Sequence, residues 1–302
     1  MTSVAETEKP ETETPAPFQR GDEIAPGYRV IEHMRRGADL DTYDAWSEAR
    51  YCRCFLKAPR PDRVDDTYTI RRIRLEAKLL LSFTHPHLVR AYEFVEPADD
   101  HPAVLVLETL RGSTLDYLID TGGRFATRDL AYLGQHLCAG LRYMHDQGYL
   151  HLDIKPGNII ANEGSARIID LSLAKRPGRH RGGSGTPTAM APEQIRGGVL
   201  GPAADVWGVG LVLYEAATGV HPFDVEETPE KDNSVSAEDD DLDYPQLDVR
   251  APSVRKERRL PRSLADVIDR CLEPDPEQRP SLSELTAVLT DVTGDDRPQP
   301  PA

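Results

Sequence analysis

The residues with chemistry to offer are concentrated in one short stretch. His151-Leu152-Asp153-Ile154-Lys155-Pro156-Gly157-Asn158 puts a carboxylate, an amine and a carboxamide within six consecutive positions, Asp153 to Asn158. Asp170, 17 residues after Asp153 and directly after the apolar run 166–169, adds a second carboxylate. Oxygen donors of this kind are what a hard divalent cation takes. Upstream, Lys57 closes a stretch rich in strand formers, and Glu76 follows it by 19 residues. A single Lys or Glu is most simply a solvated charge, so the argument depends on several such residues recurring together in a fixed order.

The elements that must hold these residues are readable from periodicity. Residues 28–32, 41–46 and 51–58 are bounded by turn formers and enriched in aromatic and β-branched types, which predicts three short strands. The stretch 67–83 carries Ile70, Ile73, Ala77 and Leu80 on one helical face, with Glu76 on that same side, and His85-Pro86 ends it. Strands at 88–95 and 103–108 complete a small sheet. A long helix then starts at Thr127 as N-cap, turns Leu130, Leu133, Leu137, Leu141 and Met144 inward and stops before Gly148. The order is a β-rich part followed by an α-rich part, without internal repeats.

Composition narrows the function. The 302 residues carry a net charge of −15, which argues against a nucleic-acid or anionic-membrane partner, since both need a basic footprint. No run approaches about 18 apolar residues and the N-terminus lacks the pattern of a signal peptide, so a cytoplasmic protein is expected. The four cysteines, Cys52, Cys54, Cys138 and Cys271, are too few and too irregular for a disulfide framework and read as free thiols. Residues 1–23 and 291–302, rich in Pro, Thr and acids, are expected to be disordered tails. Residues 224–243, with ten carboxylates and one lysine, are expected to form a solvated acidic insert. The expected domain is 24–290, with a first lobe at about 24–108 and a second at about 111–290.

The 151–158 stretch resembles the catalytic loop of protein kinases, and the chain as a whole resembles bacterial, actinobacterial-like serine/threonine kinases of the eukaryotic type. The resemblance implies an α+β, bilobal kinase fold: a small β-rich N-lobe with one key helix, and a larger, mainly helical C-lobe. It implies Asp153 as the base that accepts the acceptor hydroxyl's proton, Lys155 as the γ-phosphate clamp, and Asn158 and Asp170 as ligands of Mg²⁺ or Mn²⁺. Lys57, paired with Glu76, would orient ATP, and Glu108 and Leu110 would offer hinge backbone groups to adenine after Leu107 at the gatekeeper position. Gly185-Thr186-Pro187 and Ala191-Pro192-Glu193 look like the end of an activation segment containing Ser184 and Thr186. Glu193 would pair with Arg279, and His151 and Asp205 would support the catalytic loop. Lysine two residues after the aspartate, followed by proline, resembles the serine/threonine branch. The implied activity is transfer of the γ-phosphoryl of ATP to Ser/Thr hydroxyls of protein substrates, including the chain itself.

Five positions depart from the family pattern. Aligning Thr42-Tyr43 with the residues after the usual glycine-rich loop puts Arg35, Gly37 and Leu40 where three glycines would stand. A left-handed conformation at either non-glycine position would cost about 1–2 kcal/mol. Phe55 stands where a small residue usually faces adenine, Ser172 follows the metal aspartate in place of glycine, and Leu152 replaces the arginine that pairs with an activation-loop phosphate. The alternative reading is therefore a pseudokinase scaffold that binds partners without turnover.

Overall fold

The computed structural model describes residues 15–162, 164–223 and 244–294, and they fall into two compact units. The first comprises Ala91–Thr109 together with the residues described up to Ala77; the second comprises Lys78–Arg90 and the residues described from Leu110 onward. The result is an α+β kinase-type fold with a β-rich first unit and a largely helical second one.

A six-stranded antiparallel sheet organises the first unit in the order β1-β2-β3-β4-β6-β5. Its strands are β1 (Glu23–Ala25), β2 (Tyr28–Arg36), β3 (Leu40–Ser47), β4 (Cys52–Pro59), β5 (Ala91–Val95) and β6 (Val104–Glu108). Alternation divides the faces. Tyr28, Val30, Tyr43, Ala45, Cys54, Leu56, Val104 and Val106 form one buried cluster with Ile24, which leaves Phe55, Lys57, Leu105 and Leu107 on the other face. Helix α1 (Thr67–Ser82) begins where Asp66 accepts the Thr69 N–H at 3.1 Å; Ile73, Glu76 and Ala77 are buried along it.

Helix α5 (Pro202–Thr218) is the axis of the second unit, buried along nearly its whole length. It packs with α3 (Thr127–Asp146) and α7 (Arg262–Cys271), and α8 (Leu282–Thr293) lies on α3. Gly208 lets α5 approach the 151–158 loop: a Cβ there would lie 2.7 Å from the Ile154 carbonyl oxygen. Short helices α2 (Leu115–Gly122), α4 (Pro192–Arg196) and α6 (Val254–Glu257) fill in around it. Two small sheets complete the unit: β7 (Ser113–Thr114) with β8 (Ile159–Asn162) and β9 (Ser165–Ile168), and β10 (Gly178–His180) with β11 (Gly198–Leu200). No helix among the described residues is long and apolar enough to cross a membrane.

Several expectations need correction. Residues 15–23, expected as tail, are anchored: the Phe18 ring meets Tyr43 edge-on at 6.1 Å, Arg36 donates to the Pro15 carbonyl at 3.0 Å, and β1 begins at Glu23. One aromatic residue thus gives this stretch apolar surface to bury. At the other end α8 continues to Thr293, beyond the expected limit of 290, because buried Leu289 and Thr293 keep its inner face in contact, and Gly294 ends it in a left-handed cap. Thr127 is the first helical residue of α3, and Ala126 is the cap; the Phe125 N–H is held by the Ala216 carbonyl at 2.9 Å, which fixes the extended approach one residue earlier. Residues 88–90 are outside β5, since Val89 donates instead to Ile168 at 3.0 Å. The acidic insert 224–243 lies outside the described residues. Cys54, Cys138 and Cys271 are buried free thiols, and burial pushes the Cys54 and Cys138 thiols up to about 12.

Candidate active site

In the second unit the 151–158 loop hangs from one carboxylate. Asp205, fully buried in the first turn of α5, accepts the His151 N–H at 2.9 Å and the Leu152 N–H at 2.7 Å, and its Oδ2 lies 2.7 Å from His145 Nε2. Burial alone would raise the Asp205 carboxyl, but the hydrogen bond and charge of His145, the nearby His151 and the Leu152 N–H together hold it below the usual carboxylate range. His151 Nδ1 accepts the Asp153 N–H at 3.2 Å. Leu152 is held in a left-handed conformation (φ 66°), a sparsely populated region for a γ-branched residue. Its carbonyl accepts from Gln194 Nε2 at 2.9 Å.

That backbone path aims Asp153 at three partners. Its Oδ1 accepts the Thr186 hydroxyl at 2.8 Å and the Thr186 N–H at 3.2 Å. Its Oδ2 accepts Asn158 Nδ2 at 2.7 Å and lies 3.1 Å from Lys155 Nζ. Lys155 Nζ also donates to the Thr186 hydroxyl. Asn158 and Asp170, 12 positions apart in sequence, come together because β8 and β9 form a hairpin between them: Ile159 pairs with Ile168, and the Ile169 N–H donates to the Asn158 carbonyl at 2.9 Å. Asp170 is left-handed (φ 64°), a conformation aspartate tolerates, and its Oδ1 accepts the Ser172 N–H at 3.1 Å. Ser172 itself is not left-handed, so the serine in place of glycine carries no strain of that kind.

The 178–196 stretch is tied down at several points. Strand β10 pairs with β11, Lys175 Nζ donates to Ser184 Oγ at 2.9 Å, and the Ala189 and Met190 N–H groups both donate to the Thr186 carbonyl. Arg279 grips Glu193 with two bonds of 2.6 and 2.8 Å, donates to the carbonyls of Glu273 and Ala203, and stacks over the Trp207 ring at 5.0 Å. Leu110 is half-buried at the start of this unit's second segment.

In the first unit, Lys57 Nζ donates to Glu76 Oε1 at 2.8 Å, and both side chains are buried. Such a pair fixes both groups, since removing either would leave a charge without its partner away from water. Thr42 stands opposite Lys57 in the β3–β4 ladder, Phe55 stands opposite Leu107, and Glu108 ends β6 opposite Cys54. The hairpin joining β2 to β3 is closed by the Gly37 N–H donating to the Leu40 carbonyl at 2.8 Å. Arg35 and Leu40 are both strand residues, and neither has a positive φ. The 1–2 kcal/mol anticipated for a left-handed residue there does not arise, and with it goes the main physical motive for the scaffold reading. The hairpin is instead secured by arginines: Arg60 donates to the Ala38 carbonyl at 3.0 Å, and Arg72 pairs with Asp39 at 3.1 Å.

The protein kinase domain profile matches residues 28–288. The chain belongs to the protein kinase family. Relatives span bacteria and plants. The serine/threonine-protein kinase PrkC of Bacillus subtilis is 27% identical over 271 residues, which covers 87% of this chain and 40% of PrkC. The probable serine/threonine-protein kinase PkwA of Thermomonospora curvata is 30% identical over 293 residues, 94% of this chain and 37% of PkwA. The SNF1-related protein kinase catalytic subunit alpha KIN12 of Arabidopsis thaliana is 27% identical over 273 residues, 87% of this chain and 51% of KIN12. The chain thus spans about half or less of the length of these kinases.

His145, Lys175 and Gln194 support this site although no motif marked them. His145 sits inside the helical pattern of α3, and only the knowledge that a carboxylate is buried beside it would single it out. For Asp205 the sign of the pH effect is fixed. Because its folded-state pKa lies below the unfolded value of about 4, its stabilising contribution is complete above that pH and is lost as pH falls through the lower folded value. Asp205→Asn is therefore expected to lower stability at pH 7, at roughly 1.5–3 kcal/mol for each charged hydrogen bond weakened. In urea titrations the gap to wild type should narrow as pH falls below about 4, through the lower folded value of Asp205.

Proposed function

We propose that this chain is a protein serine/threonine kinase that transfers the γ-phosphoryl group of ATP to Ser/Thr hydroxyls of protein substrates, its own included. The observation that carries this reading is the Thr186 hydroxyl, which donates to Asp153 and receives a bond from Lys155. A base on one side and a cation on the other is the environment an acceptor hydroxyl needs to lose its proton as it attacks phosphorus. In this reading Asp153 orients the hydroxyl and takes its proton, and Lys155 offsets the charge on the transferring group. Lys57, held by Glu76, binds the nucleotide phosphates, and the backbone at Gly37 and Thr42 covers them. Glu108 and Leu110 present backbone groups to adenine, with Phe55 on the nucleotide-facing side of β4.

The residues present fit a divalent cation. Both Asn158 Nδ2 protons are engaged by Asp153, to its carbonyl at 2.9 Å and its carboxylate at 2.7 Å, so the amide oxygen is the free end, and Asp170 supplies a carboxylate just past the end of β9. Both are hard oxygen donors, which suit Mg²⁺ or Mn²⁺. Bound there, the metal would neutralise phosphate charge. A cytoplasmic location follows from the reading, because ATP is supplied there. The catalytic unit extends past the 24–290 span at both ends, to include Phe18 and Thr293.

Control by activation-loop phosphate is not expected. The position that would supply the pairing arginine is Leu152, buried and apolar, and the 178–196 stretch is already held by contacts that need no phosphate, among them Lys175 to Ser184 and Arg279 to Glu193. Ser184→Ala combined with Thr188→Val should retain phosphotransfer within about threefold of wild type. Thr186 is left intact in that variant because its hydroxyl is bonded to Asp153. A loss of a hundredfold or more in a folded double variant would refute phosphate independence.

The activity itself is tested by incorporation of labelled phosphate from ATP with Mg²⁺ or Mn²⁺, wild type beside Asp153→Asn. The variant is expected to lose at least about a hundredfold, within the range for removal of a general base, while Mg-ATP still raises the melting temperature of both proteins. No incorporation by a folded, nucleotide-binding wild type across several protein acceptors would overturn the assignment.

A further inference from the structure

Gln246 is one of the most deeply buried polar side chains in the second unit, at 1% exposure, and no motif accounts for it. It sits in a short 3₁₀ turn, Pro245–Leu247, remote in sequence from the catalytic loop. Its Nε2 donates to the Pro187 carbonyl at 2.7 Å and reaches the Met190 carbonyl at 3.3 Å. Its Oε1 is buried with no hydrogen-bond partner. The orientation is forced, because flipping the amide would turn Oε1 toward two carbonyl oxygens. An unpaired buried acceptor is a cost that a methionine of similar length would avoid. The amide therefore has its use in the two carbonyls it holds.

Those carbonyls belong to one hydrogen-bonded turn. The Ala189 and Met190 N–H groups both close on the Thr186 carbonyl, at 2.9 and 3.0 Å, and Thr186 places its N–H and hydroxyl on Asp153 Oδ1. On the far side, Gln194 accepts the Ala191 N–H at 3.1 Å and donates to the Leu152 carbonyl at 2.9 Å. Two buried carboxamides thus bracket the residues that lie against the catalytic carboxylate. We infer that Gln246 is a positioning residue that holds the 186–190 turn in register with Asp153 and so sets the binding of the acceptor protein rather than of nucleotide. The acceptor part of this inference rests on the phosphotransfer reading above.

The test is Gln246→Met in the full chain, with two readouts. Amide exchange followed by mass spectrometry should accelerate at least tenfold at Ala189 and Met190, while α3 and α5 exchange as in wild type. In steady-state assays with myelin basic protein as acceptor, the KM for the acceptor should rise at least fivefold and the KM for ATP should stay within twofold. Unchanged exchange at 189–190, equal acceleration throughout α3 and α5, or a parallel rise in both KM values would overturn the inference. If Gln246→Met does not fold, Gln246→Glu, which keeps the length and turns a carboxylate oxygen toward the two carbonyls, is judged by the same criteria. Should the wild type transfer no phosphate, the kinase reading fails, and the exchange data alone decide whether Gln246 holds the turn.

Discussion

A single buried anion organises the functional half of this molecule. Asp205 is fixed by α5, the most completely buried helix, and its two oxygens receive two consecutive backbone N–H groups and lie beside an imidazole nitrogen. A buried carboxylate is tolerated only when its lone pairs are used. Here the donors that satisfy it are the backbone of the 151–158 loop. The conformation of that loop is therefore a consequence of solvating Asp205: His151 and Leu152 must both direct their N–H groups inward, Leu152 is left-handed, and Asp153 emerges pointing the other way.

From that point the rest is geometry. The 3₁₀ turn at Pro156–Asn158 returns the chain so that Asn158 bonds Asp153, and the β8–β9 hairpin brings Asp170 back beside it. Thr186 closes the cluster from the 178–196 stretch, whose end is pinned by the Glu193–Arg279 pair. These contacts use carboxamides, hydroxyls, backbone groups and one largely buried bidentate ion pair. Arginine suits that last role because its planar fork satisfies a carboxylate with two bonds and leaves further donors for the Ala203 and Glu273 carbonyls. In the first unit the Lys57–Glu76 pair plays a comparable part, joining β4 to α1 through two charges that are buried together.

What could be read from the residues follows from how tightly chemistry constrains type. Lys57, Glu76, Asp153, Lys155, Asn158 and Asp170 are legible because few other side chains carry the needed charge or oxygen, and their order along the chain is informative even before any fold is known. The strands expected at 28–32, 41–46 and 51–58 and helix α3 are legible because their faces are buried on one side, although β2 runs on to Arg36 and β3 starts already at Leu40. Less visible were the parts decided by tertiary contact. Phe18 could be recognised as anchored only once Tyr43 had a position, and 88–90 left the sheet because Ile168 offered a better acceptor. Gln194 and Gln246 carry no charge and follow no period; their value lies in which carbonyls they reach. The family pattern reads the hairpin at Gly37 as strained by its missing glycines, yet three residues suffice to turn it, and Arg60 and Arg72 hold it with no left-handed residue, Gly37 included.

The direct test of this account is the ionisation of Asp205, followed by the ¹³C shift of its carboxyl carbon against pH in the folded, unphosphorylated protein. A carboxylate that receives the His151 and Leu152 N–H groups beside His145 should titrate clearly below the ordinary aspartate value of about 3.9. An Asp205 that titrates at or above that value would mean that burial outweighs the hydrogen bonds. The loop bearing Asp153 would then be held by something other than this anion.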